Sequence, residues 1–151
     1  MESTRHIFIQ VDTDEIIRHS NPQAPPPLNV NEYTKIFDQG WMALGSAIKN
    51  FDINASTDEL IYFTIVPNEL SSYHKLYFTS FDVISTDSSL LTVTPIMPIK
   101  DQISFKIKVD EAKTGGFIQF ALGAMIDYEQ YGNLVSLPIL IDPVLRANQG
   151  N

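Results

Sequence analysis

Residues 103–110 read ISFKIKVD, and the alternation is without error. Ile103, Phe105, Ile107 and Val109 fall on one side, and Ser104, Lys106, Lys108 and Asp110 on the other. A period of two belongs to a half-buried strand, because successive side chains leave a pleated backbone on opposite faces. Other segments carry the same signature. LIYFTIV at 60–66 is apolar, β-branched and aromatic, which suits a strand covered on both faces. KLYFTSFDVIS at 75–85 and LLTVTPI at 90–96 read as strands, with Pro95 marking an edge or a strand end. Beyond the Gly115-Gly116 hairpin turn, FIQFALGAMIDY and LVSLPILI flank the turn-rich EQYGN as a second hairpin. SAIKNFDIN at 46–54 adds a strand nearer the start. FALGAMI at 120–126 has helix-like composition but lies between turn signals, so it too is expected as a strand, central in its sheet.

Helical periodicity is nearly absent. Strands separated by Asn, Asp, Ser, Gly and Pro predict an all-β chain. The expected form is an antiparallel two-sheet β-sandwich, jelly-roll or immunoglobulin-like, with one short N-terminal helical turn. One sheet alone would leave an apolar face wet, so two must pack together. The 151 residues, 44% of them hydrophobic, suit a single domain spanning 1–151. Within it SNPQAPPPLNVNEY at 20–33 breaks the composition. Its prolines favour extended backbone that cannot join a sheet interior, as in a loop crossing between sheets or a ligand for a proline-recognition module. The tail RANQGN, 146–151, is expected to fray.

Charge narrows the partners. Ten Lys and Arg stand against 18 Asp and Glu, a formal net charge of −8 with pI near 4.6. With the basic residues scattered, neither nucleic acid nor an anionic membrane is an expected partner. Self-repulsion keeps copies apart at neutral pH and weakens towards the pI. The absence of cysteine excludes disulfides, zinc–thiolate sites and thiol nucleophiles. No apolar run has the length of a signal peptide or a membrane span, so the expected location is the cytoplasm.

Residues 11–17, VDTDEII, pack three carboxylates behind an apolar strand, IFIQV. Asp12 falls at the strand end, three residues before Glu15, which approximates a capping box for a short helix ending near His19. Asp14 and Glu15 would then face the positive end of the helix dipole. A calcium loop needs glycine at its sixth position, where this chain has Ile17. A discontinuous calcium site from Asp12 and Asp14, completed by Asp58 or Asn54, is the alternative; no other metal or cofactor is expected.

Catalytic motifs are missing. His6, His19 and His74 lack metal-ligand spacing, no G-x-S-x-G elbow is present, and no glycine-rich loop follows a strand. A convergent hydrolase would need His74 or His6 to meet a serine and a carboxylate in a cleft. Trp41, with Tyr33, Tyr62 and Phe37, could line a sugar-stacking platform, although core packing is the commoner fate of aromatic residues.

The order of segments resembles the AidA/PixA family of bacterial inclusion-body proteins. The resemblance runs through V-D-T-D with its short helix and Pro/Asn stretch, DQG at 38–40 and FDINASTDELIYF at 51–63. It continues through ISFKIKVD, the KTGG turn, FIQF and the closing I-D-P at 141–143. It implies a cytoplasmic, single-domain β-sandwich that accumulates in inclusions, with production tied to quorum sensing or growth phase and no established catalysis. Asp12, Thr13 and Asp14 are then signature residues. Where family members commonly carry tryptophan, near the second strand and before the closing D-P, this chain has Phe63 and Ile141. With only 4 methionines, a sulfur-storage role does not transfer.

The leading expectation is a non-enzymatic protein whose partner is its own copies, as a homo-oligomer or lattice. The alternative is a binding module for a small molecule or glycan, calcium-dependent or not.

Overall fold

The computed structural model describes residues 3–19, 28–38, 52–68, 74–86, 89–96 and 98–147. In chain order the elements are β1 (Ser3–Val11), α1 (Thr13–His19), β2 (Leu28–Asn29), a single 3-10 turn (Asn31–Tyr33) and β3 (Thr34–Asp38). They continue with β4 (Asp52–Ala55), β5 (Glu59–Pro67), β6 (Lys75–Thr86), β7 (Leu91–Ile96) and β8 (Ser104–Ala112). The last are β9 (Phe117–Gln130), β10 (Asn133–Ile141) and β11 (Val144–Ala147).

The first sheet runs β3-β1-β5-β8-β7. In the second, the long β9 is central. One of its edges pairs with β6; along the other, β10 and β11 lie end to end, with β2 beside β10 and β4 beside β11. The all-β, two-sheet expectation stands, with one refinement. Three pairs are parallel (β1–β5, β2–β10 and β4–β11), so both sheets are mixed. Alternation reports which face a residue occupies and is blind to strand direction.

Strands β4, β5, β8 and β11 bury alternate residues, β9 buries a continuous run at its centre, and the two inner faces meet through phenylalanines. Phe63 on β5 lies edge-on to Phe120 on β9 at 6.0 Å, and Phe105 on β8 edge-on to Phe78 on β6 at 4.8 Å. Phe81 joins them from β6, 5.0 Å from Phe120. One cluster of buried residues spans both sheets.

Several expectations change in detail. Ile103 is 61% exposed, because the strand begins one residue later and its inward series starts at Phe105. β5 is covered on one face only, with alternate residues left half-exposed. Gly115-Gly116 does not close a hairpin: it carries the chain from β8 in the first sheet to β9 in the second. A Cβ at Gly116 would lie 2.8 Å from the backbone carbon of Leu90, so only glycine permits that approach. Asp142-Pro143 does not end the strands, since β11 continues along β9. Arg146 and Ala147, expected to fray, belong to that strand, and Ala147 is fully buried. Residues 148–151, 20–27 and 46–51 lie outside the described residues. On either side of 20–27, α1 follows a strand of the first sheet and β2 joins the second.

The helix, the β9–β10 hairpin and the edge position of β7 with Pro95 are as expected. Tyr131 and Gly132, both at positive φ (52° and 80°), make the tight hairpin turn.

Candidate functional site

The VDTD segment closes β1. Asp12 N–H donates to the carbonyl of Tyr33 at 2.9 Å, and its own carboxylate accepts the Glu15 N–H at 3.2 Å. That is the N-cap bond. The reciprocal half of a capping box is not made, because the Glu15 carboxylate turns along the helix to Arg18 (2.6 Å) and His19 (3.1 Å). Asp12→Ala is expected to cost about 0.5–2 kcal/mol, read as a lower urea midpoint that calcium does not restore. A large calcium-dependent stabilisation that disappears in this variant would contradict the cap assignment.

Thr13 is fully buried, and its hydroxyl lies 3.1 Å from Nδ1 of His74, the residue before β6. Asp14 Oδ1 is 3.6 Å from the same nitrogen. The segment therefore ties the end of a first-sheet strand to the start of a second-sheet strand. His74 also forms one wall of a cavity of about 700 Å³, lined by Lys75, Asp127, Tyr128, Glu129 and Leu134. Tyr128 meets the histidine ring edge-on at 6.1 Å. Asp127 accepts hydrogen bonds from Tyr77 (3.0 Å) and Ser136 (2.6 Å). Burial, and then that bond to Asp127, raise the Tyr77 pKa above its usual value.

The arrangement of Thr13, Asp14 and His74 is not that of an acyl-transfer triad. A triad sets the nucleophile on one imidazole nitrogen and the carboxylate on the other. Here hydroxyl and carboxylate approach the same nitrogen, and the hydroxyl is sealed from solvent.

The other expected constellations are dispersed. Asp58 sits in the β4–β5 turn beside the start of β1, while Asp12 and Asp14 follow its end. The nine residues of β1 separate them, roughly 25–30 Å at about 3.3 Å per residue. Asn54, whose carbonyl accepts from Arg5, lies at the Asp58 end. These residues do not share a calcium site, and no group of three metal-ligating side chains occurs among the described residues. Tyr33 lies beyond the end of β1, stacked near His19 (6.3 Å). Tyr62 pairs with His6 further back along the same strand, roughly 20 Å away by strand rise, so the two tyrosines form no common platform. Trp41 lies outside the described residues.

A second polar junction was not legible in the sequence. Asn29 Nδ2 donates to Asp142 Oδ2 at 2.9 Å, and Asp142 N–H donates to Asn31 Oδ1 at 3.1 Å. The other carboxylate oxygen is buried without a hydrogen bond among the described residues. Burial raises the Asp142 pKa above 3.8, against the lowering effect of the Asn29 bond. With its folded pKa above the unfolded one, Asp142 costs nothing below the unfolded value. It destabilises the fold increasingly as pH rises through the folded value. Asp142→Asn removes that titration, so its stability relative to the native chain should improve from about pH 3 to about pH 7, measured as paired urea midpoints. A relative stability that falls over that interval would refute it. The only sequence traces were the I-D-P triplet and the Asn-x-Asn spacing.

No family model and no curated protein matches the sequence. Among solved structures, the fold is that of PixA, an inclusion body protein from Burkholderia cenocepacia. The TM-score is 0.63 at 11% identity, covering 98% of this chain and 97% of the other. The resemblance to the AidA/PixA family is thus borne out at the level of fold, over nearly the whole chain. No helix among the described residues is long and apolar enough to cross a membrane.

Proposed function

We propose that this chain is a non-enzymatic assembly protein of the AidA/PixA type, accumulating in the bacterial cytoplasm as inclusions built from its own copies. The observation carrying this reading is the end-to-end likeness to a protein described as an inclusion body protein. Two physical features support it. The imidazole of His74 is engaged in a way that does not suit nucleophilic catalysis. The formal charge of −8 keeps dilute copies apart, and its screening or titration brings them together.

Sedimentation velocity over a wide concentration range, near neutral pH and near the pI, with calcium or chelator, tests the proposal. A small species that grows into large assemblies regardless of calcium is the expected result. A single species under all conditions would refute it. A second reading, a binding module for a small polar molecule, draws support from the His74 cavity, whose walls offer donors (Lys75) and acceptors (Asp127, Glu129) beside Leu134. Saturable binding of a neutral oligosaccharide that His74→Ala abolishes would favour it.

A further inference from the structure

The two outward faces of the sandwich differ in charge. On the first sheet, even-numbered residues of β1 and β5 point away from the core, and they are not uniformly polar. Phe8 lies opposite Phe37 on β3, and His6 stacks on Tyr62 at 4.9 Å with ring planes 13° apart. Lys106 on β8 holds its ammonium 5.7 Å from the centre of the Tyr62 ring, and Lys108 is next outward on the same strand. Lys35 on β3 adds a third cation. These aromatic rings are half-buried, and the face gathers three of the ten basic residues of an acidic chain. The acid on its rim, Asp110, is bonded by Thr94 at 2.5 Å.

The second sheet presents the opposite character. Odd-numbered residues of β9 face outward, including Asp127 and Glu129, and Asp82 on β6 is exposed opposite Ala121. Lys75 lies among them, and Arg146 on β11 adds a second cation, paired with Asp52 at 3.2 Å.

We propose that the lysine-rimmed aromatic face of the first sheet docks the acidic outward face of the second sheet of another copy. The inference rests on the assembly reading and names its contact. Charge complementarity decides the occupant, since two lysine-rimmed faces repel each other and so do two acidic ones. The contact is therefore heterologous. The two faces lie on opposite sides of the sandwich, so each copy can accept a neighbour on either side. A contact of that kind extends into open arrays instead of closing as a dimer. Tyr62, Phe8 and Phe37 supply apolar area at its centre, and the lysines set register and orientation.

A charge-swap experiment tests this. One variant carries Lys106→Glu and Lys108→Glu; the second carries Asp82→Lys and Glu129→Lys. Sedimentation velocity follows the native chain, each variant alone and their equimolar mixture, with urea midpoints confirming that both variants fold. Each variant alone should need a concentration more than roughly tenfold higher to assemble. The mixture should recover assembly, because each reversed face then meets a complementary one. If the native chain assembles and the variants do so equally well, this contact is wrong while the assembly reading survives. Variants that fail alone and remain dispersed when mixed would refute the pairing of these two faces. A native chain that stays monomeric throughout would overturn both, leaving the lysine face to some other anionic partner.

Discussion

Phe63→Ala is expected to lower stability by about 3–5 kcal/mol, through lost apolar transfer and the cavity left behind. Phe63 is fully buried at the centre of the inter-sheet contact, stacked on Phe105 at 5.1 Å and edge-on to Phe120 at 6.0 Å. Its ring therefore touches its own sheet and the opposite one, and neighbouring phenylalanines are too rigid to fill the void. Thr64→Ala is the internal control. It is the next residue of β5, points outward, and gives up only a 3.2 Å hydroxyl contact with Ser104, so about 1 kcal/mol is expected. Urea unfolding with an unchanged m-value reads both. A Phe63→Ala loss below about 1 kcal/mol would mean that the two sheets do not pack through this residue.

Arg5→Leu should have the second largest effect, about 3 kcal/mol, at the low end for breaking a buried ion pair. Arg5 on β1 lies 3.4 Å from the Glu59 carboxylate and also donates to the carbonyl of Asn54. Glu59, with 9% of its side chain exposed, additionally accepts the Ser56 N–H at 3.2 Å. Removing the guanidinium takes away a charge partner that lies 3.4 Å from a carboxylate near the protein interior. The double variant Arg5→Leu, Glu59→Leu should regain most of the loss, because both desolvated charges are then gone. A double variant as unstable as the sum of the singles would show that the two side chains act independently.

The pair illustrates why part of this molecule was hidden in its sequence. Arg5 and Glu59 are far apart along the chain, and only the parallel register of β1 on β5, with Ser3 beside Glu59, brings them together. The same register places Asp58 at the far end of the sandwich from Asp12 and Asp14, which removed a calcium site that composition had allowed. His74 and Thr13, 61 positions apart, are likewise joined only because β6 starts where β1 ends. Local chemistry was easier to read. The Asp12 cap, the short helix, the β9–β10 turn and the edge proline each depend on a few consecutive residues.

Strand existence, the inward side chains of regular stretches such as Phe105, Ile107 and Val109, and the need for two packed sheets were determined by sequence alone. Alternation with period two is a local property, and burying one apolar face is a thermodynamic requirement wherever the strands pair. Strand direction and order, the crossing at Gly115-Gly116 and the continuation through Asp142-Pro143 were decided by the tertiary structure. So was the gathering of Lys35, Lys106 and Lys108 on one outer face and of Asp82, Asp127 and Glu129 on the other. An outward-facing residue looks the same in sequence whichever sheet carries it, and charge patterns across a face emerge only when distant strands lie side by side.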